Sequence, residues 1–311
     1  MSKSRKLNEI FMDDLLRDEL NSLLNYIQSD HTLDLEIRSG NINLYYRGGS
    51  ILKVNSKSKK GGNSYNFDFN EGFLSYTPFI DINYLNNLKD NKNWNHYFPM
   101  AKQAMDFYFT QNKKEEREFQ QLIVRDNNYS SIANSSDYFI IDIEYDNSKG
   151  ARFDLVALEW ESKASSRKLH SNYKPKLIVI ELKYGDKALN GKAGLIKHQR
   201  DFEKFSANSR DVNDFKLEMK ELFNQKRKLG LVPCLKKDKY KIEILDPEVE
   251  FCIMLINHDP ASKNLNSALS SLSNTNIQFL TSNLMGYGLF KNNLINYKDF
   301  VTKFNTQIYG S

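Results

Sequence analysis

Four consecutive β-forming residues, Leu177-Ile178-Val179-Ile180, run directly into Glu181-Leu182-Lys183. A short, continuous apolar run is the pattern of a strand buried on both faces, and such a strand needs covering layers above and below. The charged residues that follow are then carried at the rim of that strand. Side chains two apart share a face, so Glu181 and Lys183 point one way while Leu182 enters the core on the other. The bare pattern acidic-x-Lys carries no weight in this chain, because it recurs at Asp90-Lys92, Glu161-Lys163, Asp214-Lys216 and Glu218-Lys220. Only at 181–183 does it end a buried strand.

The segment before it, Ala151 to Trp160, reads as a further strand and holds Asp154 between Phe153 and Leu155-Val156. A carboxylate in that setting is costly unless it is paired or binds a cation. Carboxylates on two neighbouring strands make a hard-oxygen site suited to Mg²⁺. A metal ion there lowers the pKa of bound water and offsets charge on phosphoryl oxygens, and a nearby lysine can orient or deprotonate the attacking water. These are the parts that phosphodiester hydrolysis needs. The packing-only alternative is a cross-strand ion pair between Asp154 and Lys183, with Glu181 left at a strand end.

Around these strands the order is helix, three strands, helix, then further helices and strands. Helical spacing runs over Met100 to Arg125, strands over Tyr138–Tyr145, Ala151–Trp160 and Lys176–Lys183, and helices over Ala193–Phe205 and Asn213–Leu229. The turn Asp146-Asn-Ser-Lys-Gly150 makes the first two strands a hairpin. A nearly all-apolar strand follows at Val249–Ile256, then a helix near Leu265–Leu272 and a short strand at Ile277–Thr281. Strands flanked by helices on both sides make an α/β sandwich.

The N-terminal third reads differently. Apolar residues from Leu7 to Ile27 have the spacing of one amphipathic helix, and Leu33–Arg38, Ile42–Arg47 and Ile51–Val54 follow as a three-stranded meander. The tract Ser56–Tyr65, with Lys57, Lys59, Lys60, Gly61 and Gly62, shows no periodicity and is expected to be a loop. The division expected is an accessory α+β domain over 1–98 and a larger α/β domain over 99–311. No internal repeat is present.

No stretch approaches 18 consecutive apolar residues, and the N-terminus meets Asp13, Asp14 and Glu19 where a signal peptide would carry its apolar core. A cytoplasmic protein without membrane association is therefore expected. The two cysteines, Cys234 and Cys252, supply neither a disulfide framework nor a zinc knuckle, and the five histidines have no ligand spacing. The net charge of +5 is small, but its distribution is uneven: between Ser162 and Arg200 ten Lys or Arg face two acids. That block, which includes Lys187 and Lys192, is an electrostatic footprint for phosphate.

Taken together, Asp154, Glu181-Leu182-Lys183 and the helix–strand order resemble the PD-(D/E)xK nucleases, a superfamily that includes restriction endonucleases, Holliday-junction resolvases and RecB-type exonucleases. The resemblance covers roughly residues 112 to 205 and implies a restriction-endonuclease-like αβββαβ core. It assigns metal binding to Asp154 and Glu181, with the Leu182 carbonyl as a third ligand, and water or phosphate contact to Lys183. The proline that precedes the aspartate in that family is Phe153 here. Glu115-Glu116-Arg117-Glu118-Phe119 resembles the first-helix start of the resolvases, which makes Glu116 a further catalytic candidate. Gly194 to Phe202 resembles the helix with which RecB-like members add a polar group to the site, and Lys197, His198 and Gln199 are its candidates. The expectation is a nuclease using Mg²⁺, or Mn²⁺ in its place, on a nucleic acid, with DNA as the expected substrate. A protein partner or a second copy would be met through the N-terminal unit. The alternative is a non-catalytic nucleic-acid-binding or partner-binding module on the same scaffold.

Overall fold

The computed structural model describes residues 5–59, 62–130, 135–167, 173–186, 188–191, 194–232, 241–259, 261–273, 276–282 and 286–309. The chain is a mixed α/β protein with two sheets. It divides into two compact units, Met1–Arg125 with Glu221–Lys236, and Asp126–Lys220 with Lys237–Ser311.

The first unit opens with α1 (Glu9–Leu16) and α2 (Asn21–Ser29), not with the single helix the spacing suggests. The apolar stripe is nonetheless continuous, with Phe11, Leu15, Leu20, Leu23, Leu24 and Ile27 all buried. The break is made by a polar residue: the Asn21 amide donates to the carbonyls of Leu15 and Leu16 at 3.2 and 2.7 Å, so α1 ends on a side-chain cap.

Strands β1 (Asp34–Arg38), β2 (Asn41–Tyr46), β3 (Gly49–Lys59) and β4 (Gly62–Asp68) then form an antiparallel sheet in sequential order. The expected loop at 56–65 is instead a hairpin, with Ser56 opposite Tyr65 and Lys57 opposite Ser64. Main-chain pairing supplies the order that a polar, unpatterned sequence hides, and Tyr65 anchors β4 by packing its ring 4.9 Å from Phe11.

A 3-10 helix at Glu71–Tyr76 precedes α3 (Ile82–Asp90), α4 (Trp94–Gln111) and α5 (Glu115–Asn128). The boundary expected at residue 98 falls inside α4, whose buried Tyr97, Phe98, Ala101 and Met105 belong to the first unit's core. The Tyr97 hydroxyl donates to the Ile51 carbonyl of β3 at 2.8 Å.

The second unit is built on one six-stranded sheet of β5 (Tyr138–Asp146), β6 (Arg152–Glu159), β7 (Leu177–Tyr184), β8 (Val249–Ile256), β9 (Ile277–Ser282) and β10 (Ile295–Asn296), in spatial order β10-β9-β8-β7-β6-β5. β5, β6 and β7 are antiparallel neighbours, while β7, β8 and β9 run parallel. The β5–β6 turn closes through Gly150, whose φ of +109° is open only to glycine at low cost. Helices α6 (Ala164–Arg167), α7 (Leu195–Ser206), α9 (Lys263–Ser270) and α10 (Tyr297–Tyr309) belong to this unit, as does α8 (Ser209–Lys228) up to Lys220, its last turns from Glu221 being part of the first unit. Phe202 of α7 stacks on Phe251 of β8 at 4.8 Å, Phe215 of α8 meets Tyr145 of β5 edge-on at 4.9 Å, and Phe300 of α10 stacks on Phe279 of β9 at 4.6 Å. Among the described residues no helix is long and apolar enough to cross a membrane. Cys252 is a buried free thiol, and Cys234 lies outside the described residues.

Candidate active site

β7 lies between β6 and β8, and every residue from Leu177 to Lys183 is buried. Two of those residues are charged: Glu181 is 3% and Lys183 4% exposed. An ion taken out of water in this way must find its compensation within the fold. Glu181 finds it twice on one oxygen. Its Oε1 accepts from Lys183 Nζ at 2.7 Å, and His198 Nε2 of α7 lies 2.9 Å from the same atom. The face shared by positions 181 and 183 therefore brings the two side chains into contact, and α7 closes the cluster from above the sheet.

The β6–β7 ladder pairs Leu158 with Leu177 through to Leu155 with Ile180 and stops there, although both strands continue. The next residues in register are Asp154 and Glu181. Where the main-chain ladder ends, a side chain takes over: Asp154 Oδ2 accepts the N–H of Leu182 at 2.7 Å. In an extended strand the N–H and C=O of one residue leave on the same edge. The Leu182 carbonyl thus leaves β7 on the β6 edge, the side on which Asp154 is half-buried.

The second unit therefore brings Asp154, Glu181, Leu182, Lys183 and His198 into one connected arrangement. Glu116 lies on the first turn of α5, within the first unit. Its neighbour Glu118 accepts from Arg47 Nε at 2.8 Å, within that same unit.

The three polar candidates on α7 separate. His198 reaches Glu181, whereas Gln199 is 2% exposed and turned to Ser273, donating to its hydroxyl at 2.7 Å and accepting its N–H at 3.2 Å. Gln199 also donates to Glu203 at 2.8 Å, so its amide is committed to fixing α7 against Ser273 rather than offered to a substrate. Lys197 is exposed and pairs with Asp201 one turn on. Lys187 and Lys192 lie outside the described residues.

Among the described residues no group of three or more His, Cys, Asp or Glu side chains is placed to hold a metal ion. Mg²⁺ does not require one, since it keeps several waters and binds through one or two carboxylates. The donor set here, two carboxylates and a strand carbonyl, is all oxygen and fits that ion.

No sequence pattern points to the rim at the carboxyl ends of the parallel strands β7 and β8. Asn257, with φ +49°, donates to the Tyr184 hydroxyl at 3.3 Å, and Asp186 Oδ1 accepts the Asp259 N–H at 3.2 Å. Burial pulls the imidazole of His258 below its ordinary value, against an upward pull from Asp186 and Asp259. Crevices outside the carboxyl ends of parallel strands are common ligand sites. Locating this one requires knowing that β7 and β8 are parallel neighbours.

No family model matches this chain, and no curated protein or solved structure matches it.

Proposed function

We propose that this protein is a metal-dependent nuclease of the PD-(D/E)xK type, hydrolysing phosphodiester bonds in DNA. The observation that supports this reading best is the end of the β6–β7 ladder, where Asp154 is tied to the main chain of Leu182 while Glu181 and Lys183 are buried side by side. Asp154, Glu181 and the Leu182 carbonyl would hold Mg²⁺. When bound, the ion supplies a Lewis acid for the phosphoryl oxygens and lowers the pKa of a water.

The chain's own residues do the remaining work. Lys183, buried with its ammonium on Glu181, is a preplaced donor whose charge faces the site without competing bulk water, where its field is least screened. Its contact with Glu181 fixes the position from which it can orient a water or a phosphoryl oxygen. His198 contacts the same Glu181 oxygen as Lys183 and so limits the rotamers of that carboxylate. The cationic block at 162–200 supports a polyanionic substrate.

A second reading, a non-catalytic nucleic-acid-binding or partner-binding module, draws support from the same cluster: Glu181 is already compensated by Lys183 and His198. Titration with Mn²⁺, followed by calorimetry, separates the two. The nuclease reading expects one ion per chain, lost in Asp154→Asn and Glu181→Gln, together with metal-dependent cleavage. DNA binding that is indifferent to metal and to both substitutions, with no cleavage of supercoiled, linear, single-stranded or branched DNA, would support the module instead.

A further inference from the structure

One flank of α7 carries charge that the candidate active site does not use. A cavity of about 460 Å³ is lined by Gly191, Ile196, Lys197, Arg200, Asp201 and Lys204. On a helix, residues three and four apart are neighbours, so positions 197, 200, 201 and 204 make one continuous stripe. At 1.5 Å rise per residue the stripe from Lys197 to Lys204 is roughly 10 Å long. Its three cations are exposed, while Asp201 is half-buried and paired with Lys197. Among the described residues, three positive charges against one negative leave the cavity cationic. Helix α7 also carries His198, which contacts Glu181, and packs Phe202 on β8, so the stripe lies on a helix that reaches the candidate active site.

We infer that this flank of α7 is a phosphate seat, in which Arg200 and Lys204, with Lys197, hold backbone phosphates of a DNA strand. The inference rests on the reading of the chain as a DNA-acting protein. Arg200 supplies a planar fork suited to two phosphate oxygens at once, whereas Lys197 and Lys204 act as point charges beside it. Asp201 offsets part of the charge of Lys197 and opposes the ligand's charge. Contacts of this kind set the register of the strand and carry no base information. The lining offers a base no stacking platform, since no aromatic ring is among its described residues.

The test is binding of the full chain to a fluorescent duplex of about 20 base pairs in EDTA, across a series of salt concentrations. Removing one phosphate-binding cation lowers the slope of log K against log salt by about 0.9, so Arg200→Ala/Lys204→Ala is expected to lower it by about 1.8. Asp201→Asn is expected to tighten binding at every salt concentration. A merely structural Asp201 would give the opposite sign, since losing its pair with Lys197 would loosen the helix. Competition by inorganic pyrophosphate separates a strand-binding seat from one for free phosphate. The seat proposed here predicts displacement only at concentrations where ionic strength alone displaces DNA.

The proposal is overturned by an unchanged slope in a double variant whose melting temperature is preserved, by weaker binding in Asp201→Asn, or by wild-type chain that does not bind DNA. Tight stoichiometric pyrophosphate binding that Arg200→Ala/Lys204→Ala removes without touching the DNA slope overturns it as well. Cleavage is not read, so a protein that binds in this way yet never cuts contradicts only the nuclease reading. An unchanged slope beside activity that depends on Lys183 contradicts only the seat.

Discussion

Asp154 accepts the main-chain N–H of Leu182 at 2.7 Å, across two strands whose ladder ended one residue pair earlier. The bond gives Asp154 a structural duty that can be separated from any chemical one. Asp154→Asn keeps an acceptor oxygen for Leu182, so folding should persist while metal binding and cleavage are lost. Asp154→Leu strands the N–H and should destabilise by about 1–3 kcal/mol. Urea denaturation beside a Mn²⁺ titration reads both; equal losses of stability in the two variants would contradict the separation.

The contact between His198 and Glu181 at 2.9 Å makes a second prediction. Residues that orient a metal ligand typically contribute about 10–100-fold to metal affinity, and His198→Ala should lower Mn²⁺ affinity within that range. His198→Gln, which keeps a donor, should recover part of it. If both variants bind metal like the wild type, the imidazole serves packing alone.

The first unit holds an ion pair in which neither partner meets solvent: Lys226 Nζ lies 2.8 Å from Glu36 Oε1, and both side chains are 0% exposed. Arg38 approaches the same carboxylate at 3.4 Å. Removing one partner from such a pair leaves a buried charge, and Lys226→Met should destabilise by about 3–5 kcal/mol. The double variant Lys226→Met/Glu36→Leu should regain much of that loss. In a Trp160→Phe background Trp94, which lies in the same unit, is the only tryptophan left and reports the transition. A single variant as stable as its parent would mean that the pair is solvated.

His258 predicts a pH effect with a definite sign. Its folded pKa lies below its unfolded value, so as pH falls through about 6.5 the unfolded chain takes up the proton first. Stability from this group is therefore fully present above that pH and is lost as pH falls toward the folded value. Denaturation midpoints at pH 8, 7, 6 and 5.5 should drop more for the wild type than for His258→Asn. Parallel curves for the two proteins would remove His258 as the cause.

The core strands are readable because Leu177–Ile180 and Phe251–Ile256 are unbroken apolar runs, the pattern of a sheet covered on both faces. The contact of Glu181 with Lys183 is half-readable: period two puts both on one face, but the third partner, His198, comes from a helix whose rotation about its own axis no local pattern fixes. Gln199 shows the same difficulty in reverse, since one helical position sends its amide to Ser273 and not to the site. The distal part of the β3–β4 hairpin is hidden because Asn55–Lys59 and Gly62–Asn66 are almost wholly polar and held by main-chain pairing. The rim around His258 depends on the parallel pairing of β7 and β8, strands far apart in the chain.

Asp154, Glu181 and Lys183 are proposed to form one hydrolytic site, and the most direct measurement is cleavage of plasmid and short-duplex DNA by the purified chain in Mg²⁺ or Mn²⁺. The expected result is cutting by the wild type, abolished by EDTA and by each of Asp154→Asn, Glu181→Gln and Lys183→Met in protein that folds as the parent does. Cutting that survives Lys183→Met and Glu181→Gln unchanged, or a wild-type chain that cuts none of these DNAs with either metal, would contradict it.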